Sequence, residues 1–200
     1  MNSLIDSASI FRYHRDMIVL HGSQDSKALG WLDKKSQSVR FEALSTVADL
    51  RGCSMLDAGC GYGDLFGYLD QNFTDISYWG MEQIPELLEE AELRYGHNPR
   101  VTFLPGNFMY SKLPICGYTI ACGSLSYHSA DPDFVFKAIA RLYENCKLGL
   151  GFNLLRSIPV NELIVAYNPQ VILSYCRTLS AKCIMLDDYV EDDFTVFMYH

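Results

Sequence analysis

Apolar and polar positions change their period several times along this 200-residue chain, and the changes mark out its elements. Over residues 33–50 apolar side chains fall at Val39, Ala43, Leu44, Val47 and Leu50, the spacing of one helix face, and Arg51-Gly52 ends the run. From residue 53 short apolar runs alternate with helical patterns. Runs at 53–57, 76–81, 101–104, 117–122 and 148–155 predict buried strands. Between them, 64–71, the stretch from Pro85 through Leu93, and the stretch from Pro169 through Tyr175 predict helices. A further helix is expected to be capped by Asp131, with Pro132 in its first turn and Val135, Ala138, Ile139 and Leu142 along its buried stripe. Strands separated by helices of this length need crossover connections, so they form a parallel sheet with helices on both faces. The last two apolar runs, 182–187 and 194–199, are joined by only six residues, too few for a crossover, and must pair as an antiparallel hairpin. The expected fold class is α/β, a three-layer sandwich around a mostly parallel seven-stranded sheet that ends in an antiparallel hairpin. Residues 1–52 are expected to form a helical lead-in and 53–200 the main domain.

Composition narrows the functions open to such a fold. The chain is 49% hydrophobic and 20% charged, with 2 Trp, 13 Tyr and 11 Phe, enough for one domain with a core of its own, and it shows no internal repeat. Its net charge of −8 supplies none of the phosphate attraction on which nucleic-acid binders depend, so nucleic acid and anionic membranes are not expected partners. The charge is uneven. Residues 1–52 hold 7 of the 16 basic and 6 of the 24 acidic side chains, leaving 9 and 18 for the rest. Seven cysteines, an odd count without a C-x-x-C pair, fit neither a disulfide framework nor a zinc site. Such thiols imply a reducing compartment, and a cytoplasmic location is expected. The N-terminus lacks a basic head, and no window approaches 18 uninterrupted apolar residues, so a soluble, unexported protein is expected.

The sharpest chemical signal is Leu56-Asp57-Ala58-Gly59-Cys60-Gly61-Tyr62-Gly63, where the first predicted strand hands over to a helix. Glycines at 59, 61 and 63 permit a tight turn and let the backbone approach a ligand with no Cβ in the way. The spacing is G-x-G-x-G and not the G-x-G-x-x-G that seats a pyrophosphate, which disfavours a nicotinamide dehydrogenase. Glu82 stands just past the second strand, where a carboxylate can accept from the hydroxyls of a ribose.

These residues, with the closing hairpin, resemble the class I S-adenosylmethionine-dependent methyltransferases, which have a Rossmann-like fold. The likeness covers about residues 53–200, and Gly30-Trp31, Gln37 and Arg40-Phe41 look like the lead-in helix of a subgroup acting on small molecules. By position, the resemblance implies that Asp57, Ala58, Gly59, Cys60, Gly61 and Gly63 line the methionine part of S-adenosylmethionine and that Glu82 takes its ribose. Gln83 would pack along the ribose and adenine edge. Gly106-Asn107-Phe108 matches the segment that flanks the adenine, with Asn107 where an aspartate is usual; its amide oxygen can still accept from the exocyclic amine. Cys122 and Gly123, at the end of the fourth strand, would complete the cofactor side.

Methyl transfer is an in-line displacement, so alignment and exclusion of water are the protein's first tasks. In the resembling family the acceptor meets the methyl group near the end of the fourth strand, here Cys122-Gly-Ser-Leu-Ser-Tyr127-His128. His128 is the general-base candidate by chemistry and Tyr127 a wall of the pocket. The lead-in would supply the acceptor's contacts through Tyr13, His14, Trp31 and Arg40, and Arg12, His14, Arg40 and Arg156 leave an anionic acceptor open. The segment after the fourth strand has no Asn/Asp-Pro-Pro-aromatic stretch, which argues against nucleic-acid bases as acceptors, and no carboxylate cluster implies a metal. The acidic residues Asp187, Asp188, Glu191, Asp192 and Asp193 read as a solvated hairpin tip. The reading is a methyltransferase acting on a small-molecule substrate; a protein methyltransferase and a non-catalytic cofactor-binding domain stay open beside it.

Overall fold

A computed structural model describes residues 2–158 and 163–200, with side chains from residue 7 onward. The main sheet is built from β1 (Ser54–Ala58), β2 (Ser77–Glu82), β3 (Val101–Pro105), β4 (Cys116–Ala121), β5 (Cys146–Leu155), β6 (Lys182–Leu186) and β7 (Asp193–Tyr199). Their spatial order is β3-β2-β1-β4-β5-β7-β6; the first five are parallel, and β7 runs antiparallel to both β5 and β6. The expected fold class and closing hairpin are both present. Chain direction diverges at β1 and β4, adjacent strands whose following segments leave to opposite sides, and this opens a crevice at their carboxyl ends.

Successive strand residues serve opposite faces. Met55 joins the core under α2 (Lys34–Ser45) and α3 (Asp64–Asn72), while Leu56 and Ala58 join the core under α5 (Phe134–Glu144) and α6 (Pro169–Leu179). Each fully buried Leu or Phe in these layers stabilises the fold by about 1.5–3 kcal/mol. The remaining crossover helix, α4 (Pro85–Tyr95), packs against β2 and β3. Ahead of the sheet stand α1 (Asn2–His21) and a single 3-10 turn at Ser26–Leu29. Ile10, Phe11, Met17 and Ile18 of α1 pack with Leu29 on Ala28, Tyr62, Ile84 and Leu87, so this segment lies over the carboxyl ends of β1 and β2. Among the described residues no helix is long and apolar enough to cross a membrane.

Three local expectations are corrected. The 33–50 helix stops at Ser45, because the Thr46 and Val47 amides turn back to the carbonyls of Ala43 and Leu44, three residues earlier; Val47 and Leu50 stay buried outside the helix. Asp131 does not cap α5. The helix starts at Phe134 with Asp133 at its N-cap, and the Asp131 carboxylate instead accepts the Asp133 amide and pairs with Lys137. The hairpin's acidic run is not wholly solvated: Asp193 is fully buried, held by Arg40, Asn153 and Tyr189, and Asp192 pairs with the outer side of the same guanidinium.

Candidate functional site

The turn after β1 takes the shape its glycines permit. Gly59, Gly61 and Gly63 have φ of 86°, 54° and 73°, a left-handed conformation that side-chain-bearing residues resist. The Gly59 and Cys60 amides donate to the Met81 carbonyl at 2.9 and 3.1 Å, which ties the turn to the end of β2. Gly63 then serves as the N-cap of α3. A side chain at Gly59 would meet Ser124, whose hydroxyl donates to the Ala58 carbonyl at 2.6 Å and locks the turn to the segment after β4.

One cavity runs along the carboxyl ends of β1, β2, β3 and β4 and up to the lead-in. Asp57, Gly59, Cys60 and Gly61 line it from the first turn, Glu82 and Gln83 from the second, Asn107 and Phe108 from the third, Cys122 and Gly123 from the fourth. Its opposite side is formed by His14, Trp31, Tyr127 and His128, together with Ser7, Ile10, Leu29, Gln37 and Phe134. Ala58 and Gly63 are brought to the turn but do not line the cavity; they shape it from behind. Tyr13 also stands back, its ring edge-on to His14 and its hydroxyl near Gly30.

Arg40 is the clear departure from expectation. Its guanidinium is buried between Asp193 at 2.8 Å and Asp192 at 3.1 Å and stacks over Trp31, so it supports a wall residue and does not face the cavity. Arg156 pairs with Asp187, and exposed Arg12 lies outside the lining. Among the described lining residues there is no Lys or Arg, so the basic group expected for an anionic acceptor is not assembled. Besides the histidines His14 and His128, the described lining carries the carboxylates Asp57, Asp64 and Glu82. Asp64 is neutralised by Arg94 at 2.8 Å and bonded by Gln37 at 3.0 Å, which leaves Asp57 and Glu82 facing the cavity without a cation.

Each of those two carboxylates is held differently. Asp57 is 2% exposed; the Tyr78 hydroxyl donates to its Oδ2 at 2.6 Å, and its Oδ1 has no hydrogen-bond partner. Burial pushes its carboxyl up to about 7, against the pull of the Tyr78 bond. Glu82 accepts from the Gly61 amide at 2.9 Å and from the Gln83 and Ile84 amides at 2.8 and 2.9 Å. Burial raises its pKa while those three donors oppose the rise. A carboxylate offers about four acceptor positions, so one is left for a ligand, not the two a pair of ribose hydroxyls would fill. Asn107 is similarly engaged: its oxygen accepts the Met109 amide at 2.8 Å and its amide nitrogen donates to Gln83 at 2.7 Å, a bond that sets the two cavity residues against each other.

The comparisons with known proteins agree with this layout. A sequence profile for the family described as "Methyltransferase domain" matches residues 56–145. A Mycobacterium tuberculosis protein provisionally named as a methyltransferase, Rv1506c, is 24% identical over 155 residues, 72% of this chain and 92% of that one. Residues 56–145 match a methyltransferase domain, and the fold and this relative support a class I S-adenosylmethionine-dependent methyltransferase. Two solved structures share the methyltransferase fold at low identity. Magnesium protoporphyrin IX methyltransferase from Synechocystis, with bound S-adenosylhomocysteine, has a TM-score of 0.65 and 14% identity over 83% of this chain and 82% of its own. Human N-acetylserotonin methyltransferase, in complex with S-adenosylmethionine, has a TM-score of 0.71 and 18% identity over 95% of this chain and 57% of its own.

The residues present suit that cofactor on one internal observation. The unpartnered, buried Asp57 Oδ1 lines a cavity that carries carboxylates and, among its described residues, no Lys or Arg, a place that favours a ligand bearing positive charge and N–H donors, as S-adenosylmethionine does. Among the described residues no group of three His, Cys, Asp or Glu side chains is arranged to hold a metal. Sequence reasoning missed Ser7, Ile10, Leu29 and Phe134 in the lining, and nothing in their local pattern marks them.

Proposed function

We propose that this methyltransferase acts on a small, uncharged or cationic acceptor bound between the glycine turn and the lead-in. The observation that carries the reading is the close cover over the turn: Leu29 sits against Gly61 and Trp31 against Gly123, so tightly that a Cβ at either glycine would come within 2.9 and 2.8 Å of them. Such a roof suits a compact acceptor better than an extended polypeptide. The two solved neighbours, a porphyrin and an N-acetylserotonin methyltransferase, support a small molecule as well. When bound, the cofactor supplies an electrophilic methyl group. In this reading Asp57 and the turn receive its amino-acid end, Glu82 its ribose, and Gln83, Asn107 and Phe108 its base. Trp31, Tyr127 and Phe134 orient the acceptor and exclude water. The absence of Lys and Arg among the described lining residues disfavours carboxylate and phosphate acceptors.

The test is methyl-labelled S-adenosylmethionine incubated with the purified chain and a cell extract, followed by separation of small molecules from precipitable protein and nucleic acid. Label in the small-molecule fraction is expected. Label confined to protein would overturn the reading, and calorimetric binding of NAD with none of S-adenosylmethionine would remove its basis.

A further inference from the structure

His14 and Tyr127 meet across the cavity although 113 residues separate them, and their hydrogen bonds leave only one arrangement of protons. His14 Nδ1 lies 2.9 Å from the Ala28 carbonyl oxygen, which can only accept, so Nδ1 carries the hydrogen. In the neutral ring Nε2 is then an acceptor, and the Tyr127 hydroxyl at 2.7 Å must donate to it. This leaves lone pairs of the Tyr127 oxygen for an incoming donor, in a side chain that lines the cavity. His14 is 4% exposed and Tyr127 partly buried. Burial lowers the proton affinity of the imidazole, with the Ala28 bond opposing, and burial raises that of the phenol, so the resting pair is neutral. The titratable groups around the pair are Tyr13, edge-on to His14 at 5.1 Å, and Glu82 and His128 in the same cavity lining.

Building on the proposed small-molecule activity, we propose that Tyr127, backed by His14, accepts the proton that a hydroxyl or amine acceptor must shed on methylation. The acceptor atom forms its new bond to carbon with a lone pair, and the pair that held the carbon to its donor leaves with the donor. The acceptor's O–H or N–H bond breaks, its proton passing to the Tyr127 oxygen as the Tyr127 proton passes to Nε2 of His14. The ring becomes cationic, with both nitrogens protonated and Nδ1–H still on the Ala28 carbonyl. After product leaves, the proton returns through Tyr127 to solvent. Tyr127 is the catalytic residue, and His14 acts through it as positioning partner and proton store. This assignment replaces the exposed His128 as the base expected from sequence.

The experiment uses the full chain, S-adenosylmethionine and a panel of small phenols, alcohols, amines, thiols and carboxylic acids. On a methylated hydroxyl or amine compound, Tyr127→Phe and His14→Gln are compared with wild type; glutamine keeps an acceptor oxygen for Tyr127 but cannot take up a proton. Each variant should lower kcat by about 100-fold or more, with KM and cofactor affinity within threefold, and the double variant should be no worse than the singles. The acidic limb of the kcat–pH profile should disappear in His14→Gln. Histidine ¹⁵N spectra of the wild-type chain at neutral pH should show His14 neutral with its hydrogen on Nδ1. A hydrogen on Nε2, near-wild-type turnover in either single variant, loss confined to His128→Ala, or methylation of carboxylates alone would each overturn the assignment. The last outcome would also overturn the uncharged or cationic character proposed for the acceptor, leaving only its small size. A panel with no methylated member, together with label found only on protein, would overturn that reading and this inference with it.

Discussion

The Arg40 Nε and Asp193 Oδ2 atoms lie 2.8 Å apart in the protein interior, joining α2 to the start of β7 across 153 residues of chain. The Asp193 carboxylate also accepts from Asn153, whose own oxygen accepts the Gly123 amide at 2.8 Å. The ion pair therefore reaches the cavity through one intermediate residue. Burial holds the Asp193 carboxyl above the usual carboxylate range in spite of Arg40, so the two charges offset a large desolvation cost and leave little surplus. Removing one partner is costly because the other remains buried and unpaired. Arg40→Ala should lose about 3–5 kcal/mol in denaturant unfolding, and adding Asp193→Asn should recover part of it. A loss below about 1 kcal/mol would show that Arg40 does not carry this role.

Glu82 braces the glycine turn through the Gly61 amide and offers its last acceptor position to a ligand. Glu82→Ala should weaken S-adenosylmethionine binding by about 1–3 kcal/mol in calorimetric titration. Unchanged affinity would take Glu82 out of the ribose contact.

With Asp57 at the cofactor's amino-acid end, as proposed, cofactor affinity should depend on pH. A cationic ligand prefers the ionised carboxylate, so affinity should climb by up to tenfold per pH unit below about 7 and level off above it. Stability moves the other way. The folded-state pKa of about 7 lies above the ordinary 3.8, so the folded chain holds this proton more tightly, and the stabilisation present below about pH 4 is lost as pH rises to 7. Asp57→Asn should therefore flatten the affinity profile and raise the stability of the ligand-free protein at pH 8, by roughly 2–4 kcal/mol. Titrations at pH 5.5 and 8, paired with unfolding at the same two values, check both signs.

Gly123 tests the contact between the lead-in and the sheet. Its φ of 68° and the Trp31 ring 2.8 Å from a built Cβ make Gly123→Ala strained and crowded at once. A loss of roughly 1–3 kcal/mol in thermal or denaturant unfolding is expected. Shortening Trp31 to Leu in the same chain should relieve the crowding and leave the backbone strain, so the double variant should lose less than the sum of the two singles. Strict additivity would mean that the two residues do not press on each other.

The order of strands and helices, the glycine turn, the closing hairpin and the carboxylate after β2 were all legible in the chain, because each depends on short-range physics. Apolar period reports burial on one face or two, six residues cannot cross a sheet, and three glycines two apart report a backbone with positive φ. Tertiary structure alone decided which polar side chains meet. Asp193 reads as one more acid in a solvated run until β7 carries it beneath Arg40, and Arg40 reads as a free cation until that happens. His14 sits in an N-terminal segment with no clear local signal, and its partner lies 113 residues away after the fourth strand. Charge and hydrogen bonding act through space over a few ångströms, and that proximity is set only when the whole sheet and its cover have assembled.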